Sequence, residues 1–522
     1  MELEKSVIGI ELGSTRIKAV LLDERHIPVA SGNYEWENHF VNGVWTYAMD
    51  EVHKGLHACY AELACDVRAK FNMELTTVGA IGVSAMMHGY LPFDRDGKQL
   101  AEFRTWRNTI TGEAAEKLST LFGFNIPQRW SIAHLYQAIL NGEAHVEDIS
   151  FLTTLAGYVH WQLTGEKVIG IGEASGMFPI DSARLSFNQC MVEQFDQLIC
   201  NQPFPWKLRD VLPKVLPAGV SGGMLIDAGA LFLDPTGTLK PGVPVAPCEG
   251  DAGTGMVATN SVRVRTGNVS AGTSDFAMLV SDHDLGVHRE IDMVTTPTGL
   301  PVAMVHCNNC TSDINAWVNL FSQFADAIGE PQDKGALFTL LFNKALEGDA
   351  DCGGLLSYNY FSGEGVTDLN EGRPVFARFP NCNFSLANFM RSHLLSALAT
   401  LKIGLDILTK EENVQVDKLY GHGGFFKTPV VGQKLLSAAV GAPVSVMVTA
   451  GEGGPFGMAL LCTYMLWKDE NESLEDYLDN KVFKDAEYST LSADVFEIEG
   501  FNVFLEKYKD AFEVERTAVK TM

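Results

Sequence analysis

The chain has 522 residues, 46% of them hydrophobic and 20% charged, an ordinary globular composition with length for two large or three average domains. Its 39 Lys and Arg stand against 65 Asp and Glu, a formal net charge of −26. Such a surface repels phosphate backbones and anionic bilayers, which excludes nucleic-acid binding by counterion release as the main function but leaves room for a local nucleotide pocket.

No signal-peptide pattern opens the chain. From Ser6 to Asp23, two β-rich runs flank the small polar centre Gly13-Ser14-Thr15, which predicts a strand, a tight turn and a second strand. Thr77 to Ser84 predicts a buried strand delivering Met86-Met87-His88-Gly89 at its end, where α/β sheets place ligands. Ala114 to Phe122, Ala133 to Leu140 and Phe151 to Leu163 have helical periodicity, and Leu233 to Pro247 is a Pro- and Gly-rich loop. About half a chain after the first unit, Val262 to Val280 repeats its strand-turn-strand grammar, with Gly272-Thr273-Ser274 answering Gly13-Ser14-Thr15. The repeat suggests two domains of related fold, 1–260 and 261–522. Cys307 and Cys310, preceded by His306, have the spacing of half a zinc site or a redox dithiol. No second such pair exists, so they read as structural thiols.

Phe384 to Thr409 predicts a long buried helix. A strand at Lys418 to Tyr420 follows, then the glycine cluster Gly421 to Gly424, a helix over Thr428 to Val440 and a strand over Val444 to Val448. A last cluster, Gly451 to Gly457, leads into the helix Met458 to Trp467, which is too short to span a bilayer. The acidic stretch Lys468 to Asp479 reads as a solvated helix face. Alternating strands and helices make the fold α/β or α+β. Ten dilute cysteines fit reduced thiols, and the expected location is the cytoplasm.

Glycine-rich turns after strands bring backbone N–H groups and a hydroxyl close to phosphate oxygens. Three occur here: Gly13-Ser14-Thr15, Gly272-Thr273-Ser274 and Gly421 to Gly424. None has the frame of a P-loop or a Rossmann fingerprint. Asp251 stands among small residues in Pro247 to Gly255, open to a substrate, which suits a general base that takes a hydroxyl proton. A helix N-cap is the equally good alternative, and one carboxylate can do both.

The ordered set of motifs resembles the FGGY carbohydrate kinases, within the sugar kinase, actin and heat-shock chaperone ATPase superfamily. It runs from Ile8-Gly-Ile-Glu-Leu-Gly-Ser-Thr15 through Ser84 to Gly89, Leu163-Thr-Gly-Glu166, Ala174-Ser-Gly176 and Gly250-Asp251. It continues through Ala271 to Ser274, Ser362-Gly-Glu364, Gly421 to Lys427 with Gln433, and Gly451 to Gly457. The resemblance implies two ribonuclease-H-like domains of actin/sugar-kinase type with an interdomain cleft, the sugar mainly on the N-terminal side and ATP on the C-terminal side. It implies Asp251 as catalytic base. Gly13, Ser14, Thr15, Gly272, Thr273 and Ser274 would hold the ATP phosphates, and Gly423, Gly424, Phe425, Lys427 and Gln433 the adenosine. Met87, His88, Trp106 and Asp251 would meet the sugar, and Glu11 would act indirectly on Mg2+.

By the same resemblance the reaction is ATP- and Mg2+-dependent phosphorylation of a primary hydroxyl of a small sugar, most simply a ketopentose of xylulose or ribulose type. Deoxy-ketohexoses, gluconate and polyols are the other substrates, and a non-kinase ATPase or sugar-binding module is the alternative class. Homodimers are common in the family. Four positions depart from its pattern: Glu11 stands where Asp is usual, Met86 replaces a glutamine, and Asn108 and Ile110 occupy the Asp and Arg positions of a Trp-x-Asp-x-Arg segment. Sugar hydroxyls must therefore be read differently here than in a standard xylulokinase.

Overall fold

The computed structural model describes residues 2–447 and 453–522. Val448 of the expected strand, and Gly451 and Glu452 of the last glycine cluster, lie outside the described residues. The chain forms two units: Met1–Val262 with Met293–Val302 and Ala450–Ala486, and Arg263–Asp292 with Ala303–Thr449 and Glu487–Met522.

Unit 1 is built on a seven-stranded sheet. Val7–Leu12 pairs antiparallel with Arg16–Leu22, which pairs antiparallel with Pro28–Glu35. On its other side Val7–Leu12 runs parallel to Ala80–Ala85, which also takes Pro244–Val245 and Glu249–Gly250 in parallel. The apolar runs of Val7–Leu12 and Ala80–Ala85 are almost wholly buried, as sequences of central parallel strands are. The helix Gly453–Trp467 lies directly on them. A Cβ on Gly9 would overlap Pro455 O and stand 2.6 Å from Ala459 N, one on Gly82 would stand 2.5 Å from the Met458 side chain, and one on Gly457 would overlap Thr254 O. This helix follows most of unit 2 in the chain but belongs to unit 1, so one cut near residue 260 does not separate the units; glycine-to-backbone packing on the first strand decides its place.

In unit 2, Thr266–Ala271 is antiparallel to Asp275–Val280 and parallel to Lys418–His422. Lys418–His422 is in turn parallel to Val444–Met447, which pairs antiparallel with Tyr488–Leu491. The helix Leu386–Asp406 is buried along nearly its whole length.

Both strand-turn-strand units form as the sequence predicts, and so do the helices near 114–122, 133–140 and 386–406. Three expectations need correction. Phe151–Thr153 is a strand paired with Leu91–Phe93, and the helix starts at Leu155, where the Thr154 hydroxyl accepts from Gly157 N as its N-cap. The helix expected from Thr428 starts at Val431, because a residue before proline, here Thr428, avoids helical geometry. Lys468 to Asp479 is no solvated helix face: Leu474, Tyr477 and Leu478 are fully buried, and Lys481 bonds Asp469 and Glu472. Among the described residues no helix is long and apolar enough to cross a membrane.

Candidate active site

The parallel register of unit 1 assembles the site. Leu12 pairs with Ala85, and Ala85 with Gly250, so Gly13, Met86 and Asp251 leave the sheet together at its C-terminal edge. Asp251 opens the helix Asp251–Ala258. Its Oδ1 accepts from Met87 N at 3.1 Å and from Ala252 N at 2.9 Å, which fixes the carboxylate and leaves Oδ2 for a proton. The N-cap of this helix is Gly250, so Asp251 is its first residue and not its cap. Desolvation raises its pKa to about 6, against the pull of those amide donors.

Glu11 lies one residue before the end of the first strand, packed against Gly454; a Cβ there would stand 2.6 Å from its carboxyl carbon. Desolvation, with repulsion from Asp251 next, raises its pKa to about 7. Two further carboxyls stand behind them. Glu249 accepts from Gly172 N and Glu173 N, and burial lifts it to about 8. Glu173 is fully buried and pushed well up by desolvation, and a Cβ on Gly250 would stand 2.6 Å from its Oε2. No periodicity or motif in the sequence marks Glu173; its burial and the adjacent Gly250 single it out.

His88 has a left-handed backbone, φ 72°, rare for a residue other than glycine. Its Nδ1 lies 3.2 Å from Gly176 O, and its ring stacks over Trp130 at 6.4 Å. It follows Met87, whose N–H holds Asp251. Trp106 is half-buried. Asn108 is closed off from ligand: its Oδ1 accepts from Trp45 N and its Nδ2 donates to Trp45 O, each at 2.8 Å, while Ile110 is exposed.

In unit 1, Gly13, Ser14 and Thr15 form the turn between the first two strands, closed by Gly13 N donating to Arg16 O at 2.9 Å. In unit 2, Gly272, Thr273 and Ser274 form the matching turn, tied down by Cys310 N on Thr273 O and Thr311 N on Gly272 O, both 3.0 Å. Gly423, φ 98°, follows the parallel strand, and a Cβ on it would overlap Ala271 O. Gly424 and Lys427 are exposed. Two expected adenosine ligands are occupied instead by the fold. Phe425 is fully buried against Phe426 and Phe342. Gln433 donates to Ser489 O at 2.7 Å and Val444 O at 3.3 Å.

Comparison with known proteins gives the family and the fold. The model for the N-terminal domain of the FGGY family of carbohydrate kinases matches residues 6–258, and that for its C-terminal domain matches 267–466. The chain belongs to the FGGY family of carbohydrate kinases. The kinase is 22% identical to the xylulose kinase of Haemophilus influenzae over 494 residues, 89% of this chain and 94% of that one. Its fold matches a ligand-bound xylulose kinase from Lactobacillus acidophilus with a TM-score of 0.78 at 15% identity, and a gluconate kinase from the same organism with 0.79 at 15%, each over 98% of both chains. It is a two-domain α/β sugar kinase.

Cys307 and Cys310 are buried free thiols, pushed well up by desolvation. Near them Asp275, also fully buried, has both carboxyl oxygens without a hydrogen-bond partner. Its position directly after Ser274 is the only sequence signal it carries.

Proposed function

We propose that this kinase transfers the γ-phosphoryl group of ATP to a primary hydroxyl of a ketopentose of xylulose or ribulose type, with Asp251 as general base. The anchoring of Asp251 through Oδ1, with its pKa raised to about 6, carries the reading. A carboxylate raised above its ordinary range is more basic than a free aspartate and so better able to accept a hydroxyl proton as the nucleophile forms. Oδ2 takes that proton, and the strained Met87-His88 turn holds both the carboxylate and, through the imidazole, a sugar hydroxyl. Trp106 offers a partly open ring for a sugar C–H face.

The amides and hydroxyls of Gly13 to Thr15 and Gly272 to Ser274 bind phosphate oxygens, and Gly423, Gly424 and Lys427 receive the adenosine. Glu11 has a hard carboxylate oxygen that would fit Mg2+ indirectly, through a bound water. When bound, Mg2+ supplies charge neutralisation on the phosphates. Buried reduced thiols fit work in the cytoplasm.

ADP release, with ATP and Mg2+ saturating, against ketopentoses, ketohexoses, aldonates and polyols tests the proposal. A ketopentose should give the highest kcat/KM. A response to gluconate or glycerol alone would overturn the substrate assignment and leave the kinase assignment standing.

A further inference from the structure

The stretch from Trp36 to Tyr47 binds two parts of unit 1 that lie far apart in sequence. At one end it holds all three carbonyls of the first glycine turn. Trp36 Nε1 donates to Gly13 O at 2.7 Å, the Tyr47 hydroxyl to Ser14 O at 2.6 Å, and Trp36 N to Thr15 O at 3.2 Å. The two rings stack with centroids 4.3 Å apart, and both side chains are nearly fully buried. At the other end, the hairpin His39–Val41 with Val44–Thr46 carries Trp45, whose backbone is clasped on both polar atoms. Asn108 takes its N–H and donates to its carbonyl, Thr105 N donates to the same carbonyl at 3.2 Å, and the Arg107 guanidinium lies 3.8 Å over its ring.

A planar trans peptide points its C=O and the following N–H in opposite directions. Pinning Gly13 O and Ser14 O therefore turns the Ser14 and Thr15 N–H groups away from the aromatic pair. These are the donors that a phosphate needs. The other end of the stretch grips the segment on either side of Trp106. We propose that Trp36 to Tyr47 is a positioning strap: its aromatic pair aims the Ser14 and Thr15 amides at phosphate, and its Trp45 clasp makes that aim depend on the segment Thr105 to Asn108. The proposal rests on reading Gly13 to Thr15 as a phosphate loop. Trp36, Tyr47 and Asn108 act through that loop and are positioning residues. Asn108, which breaks the family's Asp-x-Arg pairing, gains a role here because an amide, unlike an ionised carboxylate, can both accept from Trp45 N and donate to Trp45 O.

Amide hydrogen exchange and MgATP binding by calorimetry, on the full chain, test the strap. In wild type, MgATP should slow exchange at Ser14 and Thr15; if it does not, the phosphate-loop reading fails, and the strap is judged on the ligand-free exchange alone. Tyr47→Phe keeps the ring and removes one hydrogen bond, so MgATP affinity should fall about 3–10-fold with sugar affinity measured without nucleotide unchanged. Asn108→Ala, at the far end, should speed ligand-free exchange at Ser14 and Thr15 and weaken MgATP in the same direction. The double variant should bind MgATP little worse than the poorer single variant, as expected for groups acting through one element. Unchanged exchange at the loop in Asn108→Ala, or losses in MgATP affinity that multiply fully, would overturn the strap.

Discussion

Replacing Asp251 with asparagine separates what the site does from what it costs the fold. The Asp251 pKa stands at about 6 against an ordinary 3.8. The folded protein therefore holds a proton between those values that the unfolded chain has released, and stability falls as pH rises through the window from about 4 to 6. Above it the ionised carboxylate costs at most about 3 kcal/mol, from some two pKa units at 1.36 kcal/mol each. Asparagine keeps an oxygen for Met87 N and Ala252 N but carries no charge to desolvate. Asp251→Asn should thus melt a few degrees above wild type at pH 8 and level with it at pH 4, while turnover falls about 10²–10⁴-fold with the general base removed. Thermal melts followed by circular dichroism at both pH values, beside ADP release at pH 8, read both effects. A variant within tenfold of wild-type turnover would refute the base, and a stability difference independent of pH would refute the desolvation argument.

For the wild-type enzyme, kcat/KM for the sugar should fall about tenfold per pH unit below pH 6 as Asp251 gains its proton; a flat profile down to pH 5 would contradict the raised pKa. Gly9→Ala places a methyl against the backbone of the helix Gly453–Trp467, which cannot yield as a side chain can. Its cost should reach or exceed about 3 kcal/mol, seen as a large drop in melting temperature or in soluble yield, and a melt within two degrees of wild type would show that the helix can move. With a thiol reagent at neutral pH, the exposed Cys65, Cys190 and Cys200 should react quickly, and Cys307 and Cys310 only on unfolding; rapid labelling of the pair in the native protein would reopen a redox role.

The paired strands and both glycine turns were legible because each is written locally, as alternating or continuous apolar runs punctuated by Gly and small polar residues. What escaped depends on partners far away in the chain. Nothing around Trp36 or Tyr47 marks them as donors to Gly13 and Ser14, since an aromatic in a β-rich segment looks like any core residue. Gln433 matches a family position, yet its amide bonds Val444 and Ser489 carbonyls, a pairing that only the folded sheet creates. Phe151 to Leu163 looked like one helix because a short buried strand and a buried helix have the same apolar density. The acidic run after Trp467 looked solvated because its charges outnumber the three apolar side chains that turn inward.

The seating of the helix Gly453–Trp467 on the first strand also constrains how the protein is made. When residue 262 leaves the ribosome, the strand around Gly9 still lacks the surface that will cover it, and nearly two hundred further residues must be translated before Gly453 arrives. At roughly 5–20 residues per second, that interval is about ten to forty seconds, in which the nascent first unit displays an apolar groove shaped for its own chain. A polypeptide ending near residue 262 lacks that cover and should not reach the native state of the first unit.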